Sequence, residues 1–259
     1  MMKFLPLLAL SLVASIPAFA HSGRPEVTVN FSKTYAISDH GTVEIGNMNG
    51  NVQIVAWERN EVSVEAEKFA RDDEDLKRIE IVVDASSDHI VIKTRHRKNE
   101  DRPWWSKDRW STNGGVRYRI KVPASLASFK ADVMNSNVTV DGVRSRVKIN
   151  SMNGRITASG LNGDTDLGTM NGAISATFAR IKSGQSIRLE TMNGSCRVEV
   201  PQDTNATLRA SSMNGGVSCD LPITLEKSGR HSLRGTIGHG GASIELHSMN
   251  GGLSLRSRT

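Results

Sequence analysis

Asp164 and Asp166 stand two residues apart in a run of alternating polar and apolar residues, so both carboxylates leave one face of a strand. Two carboxyl groups at a defined separation are what glycosidic bond cleavage uses. The neighbouring outward positions, Lys148, Asn150, Arg188 and Glu190 among them, form no matching acidic column, so the pair is expected to be a solvated surface feature. His21 would become an amino-terminal, copper-chelating residue after signal cleavage, but that pair alone is no redox centre. His231, His239 and His247 lie eight apart, a spacing that matches no repeat period and no zinc motif. A thioether recurs in Met-Asn-Gly; a copper(I) site needs several sulfurs to converge, whereas one Met per repeat is expected to fill a corner of the fold. No metal site and no cofactor are expected. Trp104, Trp105 and Trp110, interspersed with Arg102 and Arg109, have the composition of a binding hot spot.

The elements that must carry these residues are repeats. Met-Asn-Gly occurs at 48–50, 152–154, 170–172, 192–194, 213–215 and 249–251, with the variant Met134-Asn135-Ser136. Apolar positions precede each Met by three and five residues (Val147/Ile149, Ile187/Leu189, Ile244/Leu246) and follow it by four and six (Ile156/Ala158, Ile174/Ala176, Leu253/Leu255). Spacing of two within each arm is strand alternation with one buried face. The parity flips at the tripeptide, so the chain turns there. Asn153-Gly154, Asn171-Gly172, Asn193-Gly194, Asn214-Gly215 and Asn250-Gly251 are the expected structural turns, on the ground that both residue types tolerate positive φ.

The pattern is all-β and admits two architectures: an antiparallel meander or sandwich, and a β-solenoid (a single-stranded parallel β-helix) in which each coil holds two strands. Burial favours the solenoid, because the opposite face is polar and a meander would leave its apolar face uncovered. The residues then resemble the "putative adhesin" family of exported, repeat-rich domains of unknown function. Val122-Pro123 and Val200-Pro201 match its Val-Pro step, and Gly172-Ala173-Ile174 its Gly-Asp/Asn-Ile-type turn, over roughly Val43 to Leu255. The resemblance implies an exported β-solenoid without a catalytic motif.

Residues 1–20 read as a signal peptide: Lys3, an apolar run from Phe4 to Ile16, then Ala18-Phe19-Ala20. Residues 21–121 form a strand-rich N-terminal part with a Trp-rich loop at 95–115, and 122–259 the solenoid repeats. His21 in place of Cys removes lipid attachment, and no later run suits a membrane span. A periplasmic or secreted protein is expected. The net charge of +6 is spread without a long run of one sign, and no nucleic-acid motif is present. The expected partner is an envelope protein or polysaccharide, and the expected role is non-enzymatic binding or structure. A β-helix lyase or hydrolase acting on polysaccharide is the alternative. Aligning Val200-Pro201 with Leu221-Pro222 puts Cys196 and Cys219 on neighbouring coils, offset by two residues. That separation of about 8 Å exceeds the reach of a disulfide, so two free thiols are expected.

Overall fold

The computed structural model describes residues 26–97 and 114–258. In chain order the strands are β1 (Val27–Ala36), β2 (Thr42–Asn49), β3 (Val52–Trp57), β4 (Glu61–Ala70), β5 (Ile79–Ala85), β6 (His89–His96), β7 (Gly114–Pro123), β8 (Ser128–Asn135), β9 (Val138–Asp141), β10 (Arg146–Asn153) and β11 (Ile156–Leu161). They continue as β12 (Thr165–Asn171), β13 (Ile174–Phe178), β14 (Ser186–Asn193), β15 (Cys196–Pro201), β16 (Ala206–Ser212), β17 (Val217–Cys219), β18 (Ile223–Gly229), β19 (Ser232–Ile237), β20 (Ala242–Asn250) and β21 (Leu253–Arg258). A short helix, α1 (Asp73–Lys77), occupies the charged connector after β4. Its first turn is capped by Asp72, whose carboxylate accepts from the Asp75 amide at 2.8 Å.

Alternation does what it promises. In β10 the side chains of Val147, Ile149 and Ser151 are buried while Arg146, Lys148 and Asn150 are exposed. The neighbouring strands run parallel and in register: Ile149 lies opposite Leu167, Leu167 opposite Leu189, and Leu189 opposite Leu246. Each of these is fully buried, which stabilises by about 1.5–3 kcal/mol per side chain. The second arm builds the facing column, Ile156 opposite Ile174 and Ile174 opposite Cys196. The core is the space between two long sheets, ordered β1-β4-β7-β3-β9-β11-β13-β15-β21-β17 and β18-β19-β16-β20-β14-β12-β10-β8-β2-β6-β5.

The arms flanking Asn171-Gly172 decide between solenoid and meander. β12 pairs with β10 and β14, and β13 with β11 and β15, all parallel, so the two arms belong to different sheets joined only at the corner. The molecule is a β-solenoid. Antiparallel strands extend three of the four sheet ends: β1 and β4 continue the edge at β7, β5 pairs with β6, and the β18–β19 hairpin lies along β16, while the short β17 ends its own sheet. Such caps remove bare strand edges that would template aggregation.

One feature departs from simple tandem stacking. The last coil, β20 with β21, lies between the β14/β15 coil and the β16/β17 coil. After β17 the chain runs along the outer edge of β16 as the β18–β19 hairpin, then crosses to the inner side of β16 through residues 238–241. Gly238, Gly240 and Gly241 make that passage with φ of 57°, 75° and 119°, a region L side chains avoid. Cys196 and Cys219 are therefore not on neighbouring coils: both face β21, Cys196 opposite Leu253 and Cys219 opposite Leu255. Two rung spacings and the two-residue offset put their Cα atoms about 12 Å apart.

Candidate functional site

The corners of the solenoid stack into one straight edge. Their asparagines form a continuous amide ladder in which each Nδ2 donates to the Oδ1 of the next rung. Asn135 donates to Asn49 at 2.9 Å, Asn153 to Asn135 at 2.9 Å, Asn171 to Asn153 at 2.8 Å and Asn193 to Asn171 at 2.8 Å. Asn250 donates to Asn193 at 2.8 Å and Asn214 to Asn250 at 2.9 Å, following the intercalated order of the coils. Each asparagine keeps further amide valences exposed, so the edge offers donors and acceptors at the rung spacing of about 4.8 Å.

The reason for glycine in the tripeptide differs from the expected one. Among the described residues no non-glycine residue has positive φ, and Gly172, Gly194, Gly215 and Gly251 do not have it either. A Cβ at Gly172 would instead meet the Gly154 carbonyl oxygen at 2.0 Å, and one at Gly194 the Gly172 oxygen at 1.9 Å. Glycine is there because the carbonyl of the adjacent rung fills the side-chain position. That carbonyl is also held from inside. Thr191 Oγ1 donates to Gly172 O at 3.0 Å, Ser248 Oγ to Gly194 O at 3.0 Å and Ser212 Oγ to Gly251 O at 2.9 Å. This buried hydroxyl column sits one residue before Met in the repeats from Met152 onward, whereas Val133 precedes Met134. Sequence reasoning missed it, although the recurring Ser or Thr at that place (Ser151, Thr169, Thr191, Ser212, Ser248) is the signal that would have found it.

In the first rung the column is replaced by a buried polar chain. Asn47 Nδ2 donates to Gly50 O at 2.9 Å and Val116 O at 3.0 Å, Thr94 Oγ1 donates to Asn47 Oδ1 at 2.9 Å, and the Tyr118 hydroxyl lies 2.9 Å from Thr94 Oγ1. Burial pushes the Tyr118 phenol up to about 12.

The methionines do not fill the corners from within. Met48, Met134, Met152, Met170, Met192, Met213 and Met249 point outward, from 38% exposed at Met134 to 65% at Met213. The parity of the strand explains this: the residues one, three and five before Met face in, so Met faces out. The result is a thioether ladder on the exposed side of the asparagine ladder.

Asp166 lies on the outer face of β12 and Asp164 in the turn immediately before it, each engaged by a cation of the preceding rung. Arg146 reaches Asp164 at 3.3 Å and Lys148 reaches Asp166 at 2.8 Å. Asp164 Oδ1 also accepts from the Ser186 amide at 3.0 Å. Asp166 borders a shallow hollow shared with Gly168, Met170, Arg188, Glu190 and Met192, where Gly168 leaves a gap in the outward side chains, whereas Asp164 opens onto a separate depression with Arg146, Lys182 and Gln185. Of the histidines, His247 projects outward beside Met249 on β20, His231 Nδ1 lies 2.8 Å from Gly215 O, and His239 sits in the passage before β20. Among the described residues no group of three or more His, Cys, Asp and Glu side chains is arranged to hold a metal.

Trp104, Trp105, Trp110, Arg102 and Arg109 lie outside the described residues, as do residues 1–25 with the expected signal peptide and His21. The ends that flank the Trp-rich segment are defined. β6 pairs with β2 and β7 with β3, and Asn49 Nδ2 donates to Gly114 O at 3.2 Å, so the segment departs and returns at the same corner edge.

Both thiols are free, Cys196 buried and Cys219 half-buried. Burial and the nearby Glu190 charge push the Cys196 thiol up to about 12, and burial also raises that of Cys219. Native protein at neutral pH is expected to resist iodoacetamide at Cys196 while Cys219 reacts slowly, and unfolding without reductant should expose two alkylatable thiols to mass spectrometry. Finding none would establish a disulfide and overturn the intercalated order of the coils.

A search of curated proteins gives no match. Among solved structures, a "putative cell adhesion protein" from Clostridium sporogenes is similar in fold, with a TM-score of 0.53 at 12% identity over 90% of this chain and 100% of that one. A "putative adhesin" from Bacteroides fragilis aligns over 89% of this chain and 97% of its own at 10% identity, with a TM-score of 0.38. A "putative adhesin" from Parabacteroides distasonis covers the same shares at 9% identity and a TM-score of 0.35. The family model of Toastrack DUF4097 matches residues 12–256, nearly the whole stack and both of its caps, and the chain belongs to that family.

Proposed function

We propose that the protein is a non-enzymatic binding or structural component of the cell envelope, exported by its amino-terminal signal, and that the Met-Asn-Gly edge is its interaction surface. The observation that carries this reading is the ladder itself, in which an exposed apolar column and an exposed amide column run side by side at a fixed spacing. Regularly spaced donors and acceptors beside apolar side chains suit an extended polymer or strand-like partner that repeats at a similar interval. Trp104, Trp105 and Trp110 with Arg102 and Arg109 are proposed to extend this surface, because the strands that bracket them end on the same edge. The cations on Asp164 and Asp166, and the shallowness of the hollow beside them, weigh against hydrolysis as the role of that pair. The name of the Clostridium sporogenes neighbour agrees with adhesion as a class of role. Among the described residues no helix is long and apolar enough to cross a membrane.

The protein as bait on envelope fractions is expected to retain a partner that is lost when Trp104, Trp105 and Trp110 are replaced by alanine at unchanged melting temperature. Unaltered capture by that variant would remove the Trp-rich segment from the surface. Turnover of polyuronate or peptidoglycan that vanishes with Asp166→Asn would replace the binding role with an enzymatic one.

A further inference from the structure

We propose that the outward methionine ladder binds a soft monovalent metal ion, Cu(I) or Ag(I), most tightly at the end where Met192, Met249 and Met213 stand on successive rungs beside His247. Met192 on β14 and Met249 on β20 stand side by side in the register that sets Asn193 opposite Asn250. Met213, just after β16, is tied to the same rung by its amide on Ser248 O at 3.1 Å and by the Asn214 amide on Met249 O at 2.9 Å. All three side chains are substantially exposed. His247 precedes Met249 by two residues on the same outward face, and its strand neighbours are Glu190 and Ser211. The parallel register thus places an imidazole and three thioether side chains on one outward face of neighbouring rungs, a grouping that one Met per coil does not suggest in sequence.

The spacing suits the ion. Neighbouring rungs are about 4.8 Å apart, and two metal–sulfur bonds of about 2.3 Å, the length typical of zinc–thiolate bonds, would span about 4.6 Å. Two thioethers in like rotamers can therefore hold one ion between them in near-linear two-coordination without any movement of the sheet, with His247 beside it on the same outward face. Thioether sulfur is neutral and soft, which selects Cu(I) and disfavours hard divalent ions. Glu190, paired with Arg188 at 3.0 Å, adds a carboxylate close to where the positive charge would sit. The asparagine ladder fixes the backbone beside each Met, with Asn193, Asn250 and Asn214 bonded at 2.8–2.9 Å, so the sulfur spacing is built in before the ion arrives. Core packing does not account for a large thioether kept outward on rung after rung, since an exposed side chain forgoes most of the stabilisation that burial supplies.

The test uses the exported chain carrying Cys196→Ala and Cys219→Ser, so that no thiol competes. Under anaerobic reduction, competition for Cu(I) against a chromogenic chelator should show binding, while Zn(II) should bind far more weakly. Titration with Ag(I) of protein labelled at the methionine methyl carbons should shift the signals of Met192, Met213 and Met249. Substituting these three by leucine keeps the apolar stripe and removes the sulfurs. It is expected to weaken Cu(I) binding at least about tenfold, and His247→Asn to weaken it severalfold, both at unchanged melting temperature. Equal competition by the triple-leucine variant, unmoved methyl signals, or Zn(II) bound as tightly as Cu(I) would each overturn the proposal. The single variant Met213→Leu, at the most exposed of these methionines, provides the same readout should the triple variant fold poorly.

Discussion

Gly172→Ala is expected to destabilise the protein by roughly 3–5 kcal/mol, placing it among the most damaging single substitutions this fold can suffer. The new Cβ would lie 2.0 Å from the Gly154 carbonyl oxygen and 2.7 Å from its carbon. Neither can yield. The Gly154 carbonyl accepts from Thr169 Oγ1 at 3.3 Å, the Gly154 amide donates to Asn171 O at 3.0 Å, and the Ile156 amide donates to Ala173 O at 3.0 Å. Relief of the clash therefore requires two rungs to part and several buried hydrogen bonds to lengthen together. Gly194→Ala should behave alike, with an approach of 1.9 Å to Gly172 O. Gly216→Ala, where a Cβ meets nothing within 4 Å, should cost at most about 1 kcal/mol. Denaturant titrations of the three variants check this. Equal midpoints for Gly172→Ala and Gly216→Ala would show that the rungs are not in the close contact described. The variant corner Ser136 stacks on Gly50, whose φ of 110° sets that rung apart from the later ones.

Ending the chain after Gly241 is expected to disrupt far more than a terminal coil. In a tandem solenoid such a truncation would merely shorten the stack and leave a new end. Here β20 and β21 lie inside both sheets, so their removal opens a slot between β14/β15 and β16/β17. Ile187, Leu189, Cys196 and Val198 would lose the side chains opposite them on one side, as would Leu208 and Ala210. The β16/β17 coil and the β18–β19 hairpin would keep only their mutual contacts, too little apolar burial to hold them folded. The truncated protein is expected to expose residues 206–241 to limited proteolysis and to make Cys196 alkylatable in native buffer. A truncated chain with Cys196 still protected and its hairpin still resistant would contradict the placement of the final coil.

The period-two arms around each tripeptide determined the strands, their buried faces and the corners, because burial of one face dictates side-chain parity whatever the strands pair with. The same parity contained the outward direction of Met and the inward direction of Ser151, Thr169, Thr191, Ser212 and Ser248, although neither is obvious when Met is assumed to seek the core. What the sequence could not contain is the order of the coils. The arms of residues 186–201, 206–219 and 242–258 carry nearly the same apolar pattern, so each fits equally well beside any other, and local signals do not rank the slots. Only the tertiary structure decided it, through the hairpin that occupies the free edge of β16 and the glycine passage that returns the chain on the other side. The close approach of carbonyls at the corners is likewise a relation between rungs, invisible along the chain. The gathering of Met192, Met249, Met213 and His247 on one face follows from that intercalated order, since residues far apart in sequence become neighbours only when parallel strands fix them side by side.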